Sequence, residues 1–164
     1  MKQILIILIT LIFISCKNKS ENIDIIVNAK VIRTYDTIFE NNNSKKMYDI
    51  NLSIINKSEK PITFWIMNCS WQDNFLINTN LWSFFSDGCD KNFPITKTIK
   101  PSDSLCYEAT IIQNEDFPPI IDTTKFGFIY IDSLELKNYL NFHKFIEDKS
   151  KHNKIFWSNP LILK

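Results

Sequence analysis

Residues 47–67, "MYDINLSIINKSEKPITFWIM", decide the fold. Tyr48, Ile50, Leu52 and Ile54 fall on one side of an extended chain, and Asp49, Asn51 and Ser53 on the other. Alternation with a period of two marks a strand with one dry face and one wet face. The polar run "NKSEKP" interrupts the pattern and "ITFWIM" resumes it, with Pro61 at the strand start, where a missing N–H does least harm. The two segments read as a hairpin-like pair.

The same grammar extends in both directions. Upstream, "IDIIVNAKVIR" (23–33) sets Ile25, Val27, Ala29 and Val31 on one side. Downstream, "LWSFFS", "FPITKTI", "SLCYEATII" and "KFGFIYI" are further strand candidates, and in the third of these Leu105, Tyr107, Ala109 and Ile111 form the inward set. Short strands broken by turn residues at near-regular spacing predict a two-sheet sandwich. One segment breaks the pattern. In "DSLELKNYLNFHKFIEDKS" (132–150), Asp132 and Glu135 stand in capping-box relation. Leu136, Tyr139, Leu140, Phe142, His143 and Ile146 then follow at helical intervals, which predicts an amphipathic helix laid on the sandwich. "IFWSNPLIL" (155–163) predicts a last strand that Pro160 confines to an edge or a bulge. The expected fold is therefore mainly β, an immunoglobulin-like antiparallel sandwich with one helix inserted near the C-terminus.

The N-terminus speaks of compartment. Lys2 precedes a greasy run, Ile4 to Ile14, with Thr10 its one polar residue, and the segment ends in "LIFISCKN". That order is a positive region, a greasy region and a cleavage site. A bilayer-spanning helix needs about 20 apolar residues, more than this run supplies. The end of the segment resembles the lipobox of bacterial lipoproteins, with Phe13 where Leu is usual. That resemblance implies cleavage before a diacylated Cys16, so that residues 1–15 are a signal peptide, 16–22 a lipidated tether and 23–164 a single domain. Several acyl chains would hold the protein firmly, since one alone binds reversibly. Lys17 and Asn18 bring no acidic cluster, unlike the surface-export signals of Bacteroidota lipoproteins, so the expected location is the cell envelope, on the outer membrane facing the periplasm.

Composition excludes several classes. The chain has a formal net charge of +1, and loss of Lys2 with the signal peptide brings it from +1 to 0. No basic patch advertises nucleic acid. With Gly88 and Gly127 the only glycines, there is no Gly-rich phosphate loop. Neither HExxH nor paired CxxC is present to suggest a transition-metal site. "DGCDKN" (87–92) is better read as a turn than as a calcium loop, because it lacks alternating acidic ligands and a terminal Glu. No catalytic residue, cofactor or metal ligand is assigned.

If Cys16 is lipidated, Cys69, Cys89 and Cys106 remain, and three thiols allow three single pairings. Cys69 ends one strand and Cys89 lies in the turn after another, which favours a bond between them that encloses Trp71, Phe75 and Trp82. Cys106 falls mid-strand on the side shared with Ser104, Glu108 and Thr110 and reads as a lone small residue. Cys69-Ser70-Trp71 resembles the nucleophile region of papain-like proteases, but such an enzyme needs a histidine base. Only His143, on the apolar side of the expected helix, and His152, in a polar run, are present. Trp65, Trp71, Trp82 and Trp157 offer a possible sugar-stacking platform, but aromatic residues of this size in a small sandwich are usually core.

Two further resemblances complete the reading. Asp36-Thr37-Ile38, Asp103-Ser104-Leu105, Asp122-Thr123-Thr124 and Asp132-Ser133-Leu134 resemble the O-glycosylation sequon of Bacteroidota envelope proteins, which implies glycans at Thr37, Ser104, Thr123 and Ser133. The same pairs are also natural turns and caps. "NLSIINKSEKPITFWI" and "TIKPSDSLCYEATI" resemble small immunoglobulin-like domains of the intracellular proteinase inhibitor type, over residues 46–112 at most, and no inhibitory residue carries over. The expected role is binding rather than catalysis, through the segment Asn68 to Asn92, with Trp71, Asp73, Asn74, Asp87, Asp90 and Asn92 as the candidate surface. The membrane, reached through the lipid, and an envelope protein or glycan are the expected partners. An envelope protease inhibitor or immunity-type protein is the alternative, and an unfamiliar hydrolase a further one.

Overall fold

Alternation in the sequence becomes antiparallel register in the structure. The computed structural model describes residues 23–39, 44–86, 88–114, 122–134, 142 and 154–163. The expected signal peptide and tether, Cys16, Asp87, His143 and His152 lie outside these residues. So does the expected helix, apart from its first three positions and Phe142.

The strands follow in chain order. They are β1 (Ile25–Ile38), β2 (Ser44–Asn56), β3 (Ile62–Met67), β4 (Phe75–Ile77), β5 (Trp82–Phe85), β6 (Pro94–Ile99), β7 (Ser104–Gln113), β8 (Asp122–Thr124), β9 (Phe126–Ile129), β10 (Ile155–Trp157) and β11 (Leu161–Leu163). The protein is mainly β, and its sheets are antiparallel, consistent with a β-sandwich. Among the described residues, no helix is long and apolar enough to cross a membrane.

One sheet runs β1-β2-β7-β5. Ile50, Leu52 and Ile54 of β2 are wholly inaccessible to solvent, while Asp49, Asn51 and Ser53 point the other way, as the alternation predicts. In β1 the pattern breaks at a bulge between Val31 and Arg33. One extra residue in a strand reverses which parity faces the core. Ala29 is therefore buried and Val31 packs on the core, Ile32 is exposed, and Arg33 and Tyr35 reach Asp49 on the outer face.

The remaining ladders are β10-β9-β4, β3-β6 and β11-β8. β3 is also joined to the chain just after β9, since Trp65 N donates to Ile131 O at 2.8 Å and Ser133 N to Thr63 O at 3.2 Å. Rings of these ladders pack on one another and on rings of the first sheet. Phe64 and Phe75 pack on Phe128 at 5.1 and 5.4 Å, Phe84 meets Phe126 at 6.0 Å, and Phe75 meets Tyr107 at 6.3 Å. A single core cluster draws on residues from Ile25 to Leu163. Each such side chain taken from water contributes roughly 1.5–3 kcal/mol. Phe142 is fully buried in a smaller cluster with Met67, Ile129 and Ile131.

Two expectations are corrected here, and two strands are added. β3 does not pair with β2. It pairs with β6, because both edges of β2 are already occupied by β1 and β7. The turn between β2 and β3 therefore passes from one sheet to another. The last strand is two, β10 and β11, separated at Ser158-Asn159-Pro160, where proline removes a ladder donor. The short strands β4 and β8, three residues each, were too brief to carry a periodic signal.

Two polar devices hold the ends. Asn56 is fully buried, and its side-chain N–H groups donate to Lys60 O at 2.8 Å and Ile99 O at 3.0 Å, while Ser58 N donates to its Oδ1 at 2.8 Å. At the edge of β1 away from β2, beside the Val27–Ser158 bridge, Asn159 Nδ2 donates to Ala29 O at 3.0 Å and Asn159 Oδ1 accepts from Ala29 N at 2.8 Å. A side-chain amide there supplies the donor and acceptor that a neighbouring strand would otherwise provide.

Candidate functional site

Beyond Met67 the chain leaves β3 and turns through a short 3-10 helix, Trp71–Asn74, before β4. Ser70 opens the turn, donating its hydroxyl to the Asp73 carboxylate while Asp73 N donates to Ser70 O at 2.9 Å. The turn is fixed from below by Asn74, whose Nδ2 donates to Trp65 O at 3.0 Å and whose Oδ1 faces Met67 N at 3.4 Å. Asn74 was expected on a contact surface. It is instead fully buried, because the end of β3 leaves backbone groups that need a partner.

Trp71 is likewise turned inward. Its ring stacks on Tyr107 at 4.6 Å, with 27° between the planes, and meets Phe75 edge-on at 5.7 Å. Trp82 is buried and Trp65 packs beside Met67, so of the four tryptophans only Trp157 is substantially exposed, and it covers Gly127. A shared aromatic platform does not form. Tyr107 brings its hydroxyl into the interior without a hydrogen-bond partner, and burial pushes its pKa up to about 12.

The disulfide joins Cys69 to Cys89, with a Cα–Cα distance of 6.2 Å, and among the described residues leaves Cys106 as the free, exposed thiol. Cys106 sits on the outer face of β7, 3.4 Å from the Ser53 hydroxyl. Asn92 braces the staple, since its Oδ1 accepts from Cys69 N at 3.3 Å and Ser70 N at 3.1 Å and its Nδ2 donates to the Ser70 hydroxyl. Asp90 is exposed nearby.

Between the staple and the sheet lies a cleft of about 440 Å³. Its floor is Glu108, Ala109 and Thr110 of β7, and its walls include Ser70, Gln72, Phe85 and the disulfide. The space exists because β5 ends at Phe85, opposite Thr110, and leaves the edge of β7 at Ala109 and Glu108. The cleft size suits a side chain or small ligand rather than a water molecule. Among the described residues, no group of three His, Cys, Asp or Glu could hold a metal ion.

A charged pair borders this region. Asp49 accepts from Arg33 Nη2 at 2.6 Å, from Thr110 at 2.9 Å and from Tyr35 at 3.2 Å. Partial burial pushes the Asp49 carboxyl upward, but these hydrogen bonds and the Arg33 charge outweigh it and hold the pKa below the usual carboxylate value.

Of the residues singled out from sequence, Cys69, Cys89 and Asn92 come together at the cleft, while Trp71, Asp73 and Asn74 build the turn behind it. Gln72, Phe85, Glu108 and Thr110 were not foreseen as neighbours. The alternation placed Glu108 and Thr110 outward, but nothing in it brought the stapled loop over them. Of the four sequon residues, Ser104 and Thr123 are exposed, while Thr37 and Ser133 are half-buried. No family model, curated protein or solved structure matches the chain.

Proposed function

We propose that this is a lipid-anchored cell-envelope protein, an immunoglobulin-like sandwich that binds a partner at the stapled cleft rather than transforming a substrate. The observation that carries the reading is a recess rigidified before any ligand arrives. The disulfide, Asn92 and the Ser70–Asp73 turn fix its rim, so little ordering remains to oppose association. Position supports the same reading. The described chain starts beside the β2–β3 turn, where Asp24 N donates to Ser58 at 3.0 Å and Lys57 N to Asp24 O at 2.8 Å. Glu108 and Thr110 lie four and six residues along β7 from Ser104, which pairs with Ile55 at that end. At about 3.4 Å per residue, an anchor at Cys16 would leave the cleft on the order of 15–20 Å beyond the tethered end. The immunoglobulin-like assignment rests on the two outer strands around β2 and β7 facing ladders built on β9 and β3. Exposed Ser104 and Thr123 are the proposed glycan carriers.

Two measurements test this. Intact mass of the protein from its own envelope should show loss of residues 1–15 and gain of acyl chains on Cys16, and retention of Met1 would refute the anchor. A photo-crosslinking residue at Ser86, on the cleft, should capture an envelope partner that the same residue at Glu59, in the β2–β3 turn, does not. Equal capture at both positions, or none at Ser86, would refute the contact surface.

A further inference from the structure

The cleft has a charge signature of its own. Among its described lining residues Glu108 is the one carboxylate, and none of them is Lys, Arg or His. Glu108 is exposed on the outer face of β7, its cross-strand neighbour is Asn51, and no ion pair reaches it among the described residues. The neighbouring carboxylate, Asp49, is already matched by Arg33. Among the described residues Glu108 is thus the uncompensated negative charge of the recess.

The walls narrow the choice of counter-charge. Phe85 is 39% exposed and pairs with Thr110 across the β5–β7 ladder, which makes Glu108 its diagonal neighbour. Diagonal pairs on one face of a sheet stand about 7–8 Å apart, close enough for a planar group to touch both. The hydroxyls of Ser86 and Thr110 add acceptor oxygens, and Thr110 has spent its own proton on Asp49. A carboxylate, an aromatic wall and spare hydroxyl oxygens suit a flat cation with several N–H groups. Guanidinium matches a carboxylate with two parallel hydrogen bonds and stacks on aromatic faces, whereas ammonium is a more strongly hydrated point charge.

We propose that the cleft receives an arginine side chain of a partner protein, with Glu108 as its counter-ion and Phe85 as the wall against which it lies. This rests on the reading of the stapled end as the contact surface and adds the chemistry of recognition. The test titrates the full mature protein, disulfide intact, with blocked Gly-Arg-Gly, Gly-Lys-Gly and Gly-citrulline-Gly peptides, followed by amide shifts at Gly88 and Ala109. The arginine peptide should saturate, the citrulline peptide should bind roughly tenfold or more weakly, and the lysine peptide should fall between them. Glu108→Gln should remove that preference, and Glu59→Gln should leave it unchanged. Equal binding of arginine and citrulline peptides, equal binding of lysine, or an unaffected Glu108→Gln variant would overturn the proposal. Crosslinking from Ser86 that persists in Glu108→Gln would separate failure of this chemistry from failure of the contact surface.

Discussion

Removing the staple gives a calculable loss. The Cys69–Cys89 bond spans a sequence separation of 20, and in the chain-entropy account closing a loop of that length removes about 3 kcal/mol of freedom from the unfolded chain. Both cysteines must be replaced together, because a single replacement leaves a thiol able to pair with the free, exposed Cys106. The variant Cys69→Ala/Cys89→Ala retains the Asn92 and Asn74 hydrogen bonds, so the native loop should keep its path while the unfolded state gains freedom. Urea unfolding of oxidised wild type and of the double variant should differ by about 3 kcal/mol, and thermal unfolding by roughly 10 °C at 2–4 °C per kcal/mol. The m-value should rise in the variant, since its unfolded chain exposes more surface. A loss below about 1 kcal/mol with an unchanged m-value would refute the reasoning, because the loop would then be constrained equally with and without the bond.

Other perturbations probe separate parts of the molecule. Asn56→Ala removes three hydrogen bonds, among them the buried one to Ile99 O, which should cost about 2–4 kcal/mol in urea unfolding. Tyr107→Phe removes a buried hydroxyl that has no partner, so stability should hold or rise by about 1 kcal/mol at pH 7. Because the folded Tyr107 pKa is raised to about 12, its contribution is fully present below pH 10 and is lost between about pH 10 and 12 as the unfolded chain ionises first. The advantage of Tyr107→Phe should therefore widen over that window. Asp49 has a lowered pKa, so its contribution is present above the unfolded carboxylate value and lost as pH falls through the folded one. Asp49→Asn should accordingly flatten the acid limb of a stability–pH profile below about pH 4, by a small amount because Arg33 is exposed and the pair is screened by water.

Legibility in the sequence followed the physics of each feature. From Tyr48 to Ser53, β2 could be read residue by residue, because each inward apolar side chain is followed by an outward polar one. The partner of β3 could not, since an amphipathic strand shows the same alternation whether its neighbour lies beside it or faces it across the core. The pairing of Cys69 with Cys89 was favoured from their places at strand ends, and the structure shows that bond. Asn74 was misread for a definable reason. A polar residue in a tight turn reads as surface, and only the backbone groups left open by the end of β3 make it a buried brace. The cleft was out of reach because Glu108 and Phe85 meet through the β5–β7 register, which depends on where β5 stops.

The amide that seals the edge of β1 has a chemical consequence over time. Asparagine side chains age by closing onto the next backbone nitrogen, which needs an N–H to lose. Asn159 is followed by Pro160, whose ring nitrogen carries none. The clamp on Ala29 is therefore built from an asparagine shielded from deamidation by its own neighbour.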